Sequence, residues 1–103
     1  MVDQISAEKI DRDALRARIE ARLRSRFAPP HLVVEDQSAV HAGHAGAQAG
    51  GHLRVLIISS EFEGQTHIAR HRKIYEALKP WMQKGIHALS IRALTPEEFS
   101  AAS

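Results

Sequence analysis

Leu15, Ile19, Leu23 and Phe27 recur every fourth residue through a stretch rich in Ala, Arg, Leu and Glu. That interval puts all four on one side of a helix, expected over Asp11–Arg26. Asp11 is a candidate N-cap, and Ala28-Pro29-Pro30 ends the helix because proline disfavours a helical residue before it and has no amide hydrogen to donate. His31–Asp36 (HLVVED) reads as a short strand, and His52–Ser60 (HLRVLIISS) as a longer one whose apolar centre suits a central, covered position. Glu61–Gln65 is a turn. Thr66–Lys79 returns to helical spacing through Ile68, Ile74, Tyr75 and Leu78, and Pro80 bends or ends it. Trp81 and Met82 are expected to cap the core. His87–Ala93 (HALSIRA) alternates as a third strand. Thr95-Pro96-Glu97-Glu98 is a capping box, with Thr95 at the N-cap, proline at the first helical position and Glu98 at the third, opening a terminal helix.

The order is α-β-β-α-β-α. The second strand, helix and third strand form a crossover unit, which makes those two strands parallel, while the first two pair antiparallel. An α+β fold with a three-stranded mixed sheet and helices packed on one face is expected. Residues 1–10 read as a flexible N-terminus and 11–101 as one domain. Between the first two strands, QSAVHAGHAGAQAGG carries four of the six glycines and lacks bulky anchors. Connections of about 15 residues inside a compact domain tend to be functional or disordered.

Composition narrows the chemistry. The chain has 103 residues, 14 Lys plus Arg, 12 Asp plus Glu, seven histidines and no cysteine. It is long enough for a core without staples, and it offers no thiol nucleophile, no cysteine-based zinc site and no self-sufficient iron-sulfur ligand set. The polar opening MVDQISAEKIDRD has no apolar core of a secretory signal, and no apolar run reaches a membrane span, so a cytoplasmic protein is expected. Imidazole is the main special chemistry on offer.

Several blocks in order carry a resemblance: Ile19, Leu23 and Phe27 leading to Pro29, LVVEDQS at 32–38, HAGH at 41–44, HLRVLIISSEFEG at 52–64, RHRKIYEAL at 70–78, IHALSI at 86–91 and TPEEF at 95–99. Together they resemble the BolA family. The resemblance implies a fold similar to class II KH domains, a role in iron-sulfur trafficking with monothiol glutaredoxins and, in some members, transcriptional regulation. Two departures stand out: Asp36-Gln37-Ser38 at the end of the first strand, and Phe99 where tryptophan is common.

For a chain without thiols, the resemblance implies half a ligand set. Imidazole can replace thiolate on one iron of a 2Fe-2S cluster. A partner glutaredoxin cysteine and glutathione would supply the rest. By position, His87 matches the family's C-terminal histidine ligand and His41 its loop ligand, with His44 the alternative loop ligand three residues away. The isolated chain is then expected to hold no cluster and to be a monomer or weak homodimer. His67 and His71 have the i, i+4 spacing that can clamp zinc, but His71 reads as a packed structural residue within the R-H-R segment and His67 as solvent-facing. His31 and His52, which begin strands, default to surface or hydrogen-bonded roles.

Nucleic acid is the alternative partner. Arg70, Arg72 and Lys73 form a short positive segment that could neutralise phosphates. KH domains grip nucleic acid with a G-x-x-G loop, and Gly64-Gln65-Thr66-His67 lacks the second glycine. The sequence has no run of aromatics for base stacking. With no nucleophile-base order, paired carboxylates or phosphate loop, a non-enzyme is expected and no catalytic residue is assigned.

Overall fold

The computed structural model describes residues 12–37, 51–82 and 84–102. The candidate cap Asp11, the N-terminus and the loop histidines His41 and His44 lie outside the described residues. Helix α1 spans Arg12–Phe27, strand β1 His31–Asp36, strand β2 Gly51–Ile58, helix α2 His67–Ala77, strand β3 Ile86–Leu94 and helix α3 Pro96–Ala102. Short 3₁₀ turns at Ser60–Phe62 and Lys79–Trp81 flank α2.

The sheet runs β1-β2-β3, with β1 and β2 antiparallel and β2 and β3 parallel across α2. Leu15, Ile19, Leu23 and Phe27 are all buried, as their four-residue spacing demands. They close on Val34, Leu53, Val55 and Ile57 from the inner face of the sheet. Alternate burial along β2 identifies its two faces: Leu53, Val55 and Ile57 point into the core, and Arg54 points out. Trp81 and Met82 are partly buried against the core edge.

Two boundaries show local physical causes. Helix α1 stops where Ala28 turns left-handed, at φ +45°, ahead of Pro29. The Ser59 hydroxyl then donates to the Phe27 carbonyl at 2.7 Å, satisfying an acceptor that the helix leaves open. At the other end of the chain the capping box closes in both directions: the Thr95 amide donates to Glu98 Oε1 at 2.9 Å and the Glu98 amide to Thr95 Oγ1 at 3.1 Å.

Two features depart from the sequence reading. Along α2 the inward positions are Arg70, Ile74 and Ala77, followed by Leu78, while Ile68 and Tyr75 are exposed. A buried arginine holds the place that apolar periodicity gives to Ile68. Helix α3 is the exception to helices gathered on one face. Its Phe99 ring lies 5.1 Å from that of His31, and Phe99 and Ala102 border a concavity over the sheet face opposite the core.

Candidate metal-ligand end of the sheet

The end of β1, the start of β2 and the start of β3 meet at one end of the sheet, because β1 runs antiparallel and β3 parallel to β2. The register shifts there: Gly51 pairs with Ile86 and His52 with Ala88, so His87 is skipped. An extra residue in one strand of a pair bends that strand and re-aims its side chain. His87 is accordingly exposed, with its ring centroid 6.0 Å from that of half-buried His52. Sequence reasoning assigned His52 a default role. Its nearness to His87 depends on the parallel pairing and the bulge, and only the position of both at strand starts hints at it.

Arg12 ties this end together. Its Nε donates to Asp36 Oδ2 at 2.7 Å and its Nη1 to the Gly85 carbonyl at 3.0 Å. One guanidinium thus joins the start of α1, the last residue of β1 and the approach to His87. Glycine at 51 makes room for it, since a Cβ there would collide with the Arg12 guanidinium and come within 2.6 Å of the Gly85 carbonyl. The Gln37 amide donates to the His52 carbonyl at 2.7 Å. The segment carrying His41 and His44 therefore leaves from Gln37 and returns at Gly51, both beside His52 and the start of β3.

The helical residues separate more sharply. Arg72 is exposed and Lys73 half-buried, whereas Arg70 is 4% exposed. Arg70 Nε donates to the Gln65 carbonyl at 2.9 Å and Nη1 to the Ala93 carbonyl at 2.9 Å. Its two terminal nitrogens also grip Glu98, at 2.7 and 3.1 Å. Arg70 is therefore corrected from a candidate phosphate contact to a buried tie between α2, β3 and α3. Its hydrogen bond, with that from the Thr95 amide, lowers the Glu98 carboxyl from 4.5 to about 2.

Of the other histidines, His67 is exposed and His71 half-buried. No group of three or more metal-ligating side chains occurs among the described residues. The Gly64-Gln65-Thr66-His67 stretch serves as a helix start, with Thr66 Oγ1 accepting from the Ala69 amide at 3.1 Å. Among the described residues, no helix is long and apolar enough to cross a membrane.

Known proteins fit this architecture. A chloroplastic protein BOLA1 of Arabidopsis thaliana is 41% identical over 86 residues, covering 80% of this chain and 54% of its own length. A Haemophilus influenzae protein described as the DNA-binding transcriptional regulator BolA is 32% identical, covering 81% of this chain and 79% of its own. The chain thus spans about half the length of the plant relative. The solved structure of BolA1 from Arabidopsis thaliana superposes with a TM-score of 0.71 at 40% identity, over 81% of this chain and 93% of that one. The profile of the BolA-like proteins matches residues 23–98, and the chain belongs to the BolA family.

Proposed function

We propose that the protein is a non-enzymatic adaptor that docks on a monothiol glutaredoxin and contributes imidazole to a shared 2Fe-2S cluster, in cytoplasmic iron-sulfur trafficking or iron and redox sensing. One observation carries the reading. In a chain without cysteine, a bulge presents exposed His87 at the sheet end where the segment bearing His41 and His44 departs and returns. The donor set fits half a cluster site: nitrogen ligands are present, and thiolates must come from the partner's cysteine and from glutathione. When bound, such a cluster supplies one-electron chemistry and transferable iron and sulfide. The chain's own work is to hold an imidazole outward. Backbone pairing of β3 and the Arg12 tie fix the direction of His87, while a glycine-rich segment brings His41, or in its place His44. Exposed Arg72 and Tyr75 on α2 and the start of β3 offer the docking surface.

The test mixes the protein with cluster-loaded monothiol glutaredoxin and follows visible circular dichroism. The wild-type chain is expected to change the spectrum and His87→Ala to abolish that change. Parallel His41→Ala, His44→Ala and His52→Ala variants identify the second imidazole. A spectral change that survives His87→Ala refutes the ligand assignment.

The second reading, a DNA-binding regulator, is favoured by the description of the Haemophilus influenzae relative. On α2 it retains Arg72 and Lys73 but not Arg70. Arg72→Ala with Lys73→Ala should weaken sequence-specific promoter binding at physiological salt. Binding that ignores sequence and vanishes near about 0.2 M salt would reduce it to nonspecific attraction.

A further inference from the structure

The sheet has a second face. The antiparallel register sets Val33 opposite Leu56 and Glu35 opposite Arg54, and the parallel register sets Leu56 beside Arg92 and Arg54 beside Ser90. These alternate with the core residues, so they share the face that α1 and α2 leave uncovered. Val33 is 45% exposed, and Arg54, Arg92 and Glu35 are exposed around half-buried Leu56. Helix α3 walls one side with Phe99, whose ring lies 5.1 Å from His31 at 43°. The result is a concavity of about 710 Å³.

From this placement we infer that the outer sheet face, through Arg54, Arg92 and Phe99, is a binding surface for single-stranded nucleic acid. The inference rests on the nucleic-acid reading of the family and relocates its surface from α2 to the other side of the sheet. Arg54 and Arg92 have no ion-pair or hydrogen-bond partner among the described residues. They stand on neighbouring strands two residues out of step, a diagonal of about 8 Å from strand spacing and rise. That spacing suits two successive phosphates of one strand.

The apolar and aromatic surface of Val33, Leu56, Phe99 and His31 offers a platform for an unpaired base, and stacking on such a platform tolerates any base because each has a π-face. A duplex keeps its base faces stacked inside and cannot use the platform. Glu35 repels a phosphate at its own corner but can accept from an exocyclic amino group, as acidic side chains do with cytosine. The two rings are 68 positions apart in sequence, so their pairing exists only in the folded sheet.

The experiment measures fluorescence anisotropy of a labelled mixed-sequence 12-nucleotide DNA strand, and of the same sequence as a duplex, against the full chain up to about 1 mM, where weak binding is visible. Wild-type protein is expected to prefer the single strand. Two phosphate contacts at about −0.7 each give roughly sevenfold weaker binding at 200 mM than at 50 mM salt. Arg54→Ala and Arg92→Ala should each flatten that salt dependence. Phe99→Leu should weaken binding about tenfold while Phe99→Tyr restores it. Arg18→Ala with Arg24→Ala, at exposed positions of α1 on the opposite side of the sheet, should change little. Thermal unfolding of each variant separates lost folding from lost contact.

If the duplex is preferred and the Arg72/Lys73 variant alone loses it, nucleic-acid binding stands and the sheet-face assignment falls. Absence of binding to either probe overturns both. Neither result touches the glutaredoxin reading, which is scored by its own spectrum.

Discussion

Arg70 is the residue whose replacement tests the packing argument most directly. Arg70→Met keeps a long, flexible side chain but removes every donor. The Ala93 and Gln65 carbonyls then lose their partner, each at a cost of about 1–3 kcal/mol if left unsatisfied. Glu98 loses a two-point grip, but its side chain is 42% exposed, so water can replace much of that contact. Burial of the methionine offsets part of the carbonyl cost. The expected net loss is about 3 kcal/mol, near the lower end of the range for breaking a buried ion pair. In a domain of this size that lowers the midpoint of thermal unfolding by roughly 12–20 °C. Urea denaturation followed by far-ultraviolet circular dichroism reads the free energy, with exposed Arg72→Met as a control expected within about 0.5 kcal/mol of wild type. If Arg70→Met does not fold, Arg70→Lys, which keeps the charge but not the fork, should lie between.

The same contact has a signature in pH. Glu98 is lowered from 4.5 to about 2 in the folded chain. A carboxyl held below its unfolded value contributes stability above about pH 4.5, and that contribution is lost as pH falls towards 2. Glu98→Gln should therefore flatten the acid limb of stability in that window. If both Arg70→Met and Glu98→Gln leave stability and its acid limb as in wild type, the guanidinium is not a structural tie and its exclusion from the phosphate-contact set is unfounded.

The positive φ of Ala28 predicts that Ala28→Gly stabilises by about 0.5–1 kcal/mol, read as a higher urea midpoint with an unchanged slope. Gly51→Ala should cost about 1–3 kcal/mol by pushing against Arg12 and the Gly85 carbonyl, and should shift the imidazole resonances of His52 and His87. Gly64→Ala, at φ +76° in open space, should cost about 1 kcal/mol and leave those resonances in place. Arg12→Gln should move the same two imidazoles as Gly51→Ala, because both loosen one tie.

The elements were legible where a short-range rule governs them. Helix α1 follows from four apolar residues at one interval, α3 from a reciprocal cap spanning four residues, and the central place of β2 from its apolar run. Pairing directions followed too, since a helix between β2 and β3 forces a parallel crossover. Helix α2 shows where such rules stop. Periodicity offered Ile68 and Tyr75 to the core, but the position that packs inward is Arg70, and it can do so because carbonyls from Gln65 and Ala93 and the carboxylate of Glu98 meet its fork. Those acceptors come from three separate stretches of chain, so no local pattern announces them.

The candidate ligand end divides in the same way. Family resemblance marked His87, whose exposure depends on a register slip of one residue between β2 and β3. Such a slip is a property of two strands 35 positions apart, and neither strand alone encodes it. It leaves His87 without a cross-strand partner, brings His52 beside it and sets both next to the ends of the His41–His44 segment. Glycine at 51 then has a reason that loop flexibility alone does not supply: the Arg12 guanidinium occupies the space a side chain would need. Any substitution that restores a regular pairing opposite His87 would turn its ring from the sheet end, and the imidazole would be kept but misdirected. The imidazole is thus written in one residue, while its direction is written in the bulge, the glycine and the arginine that hold it.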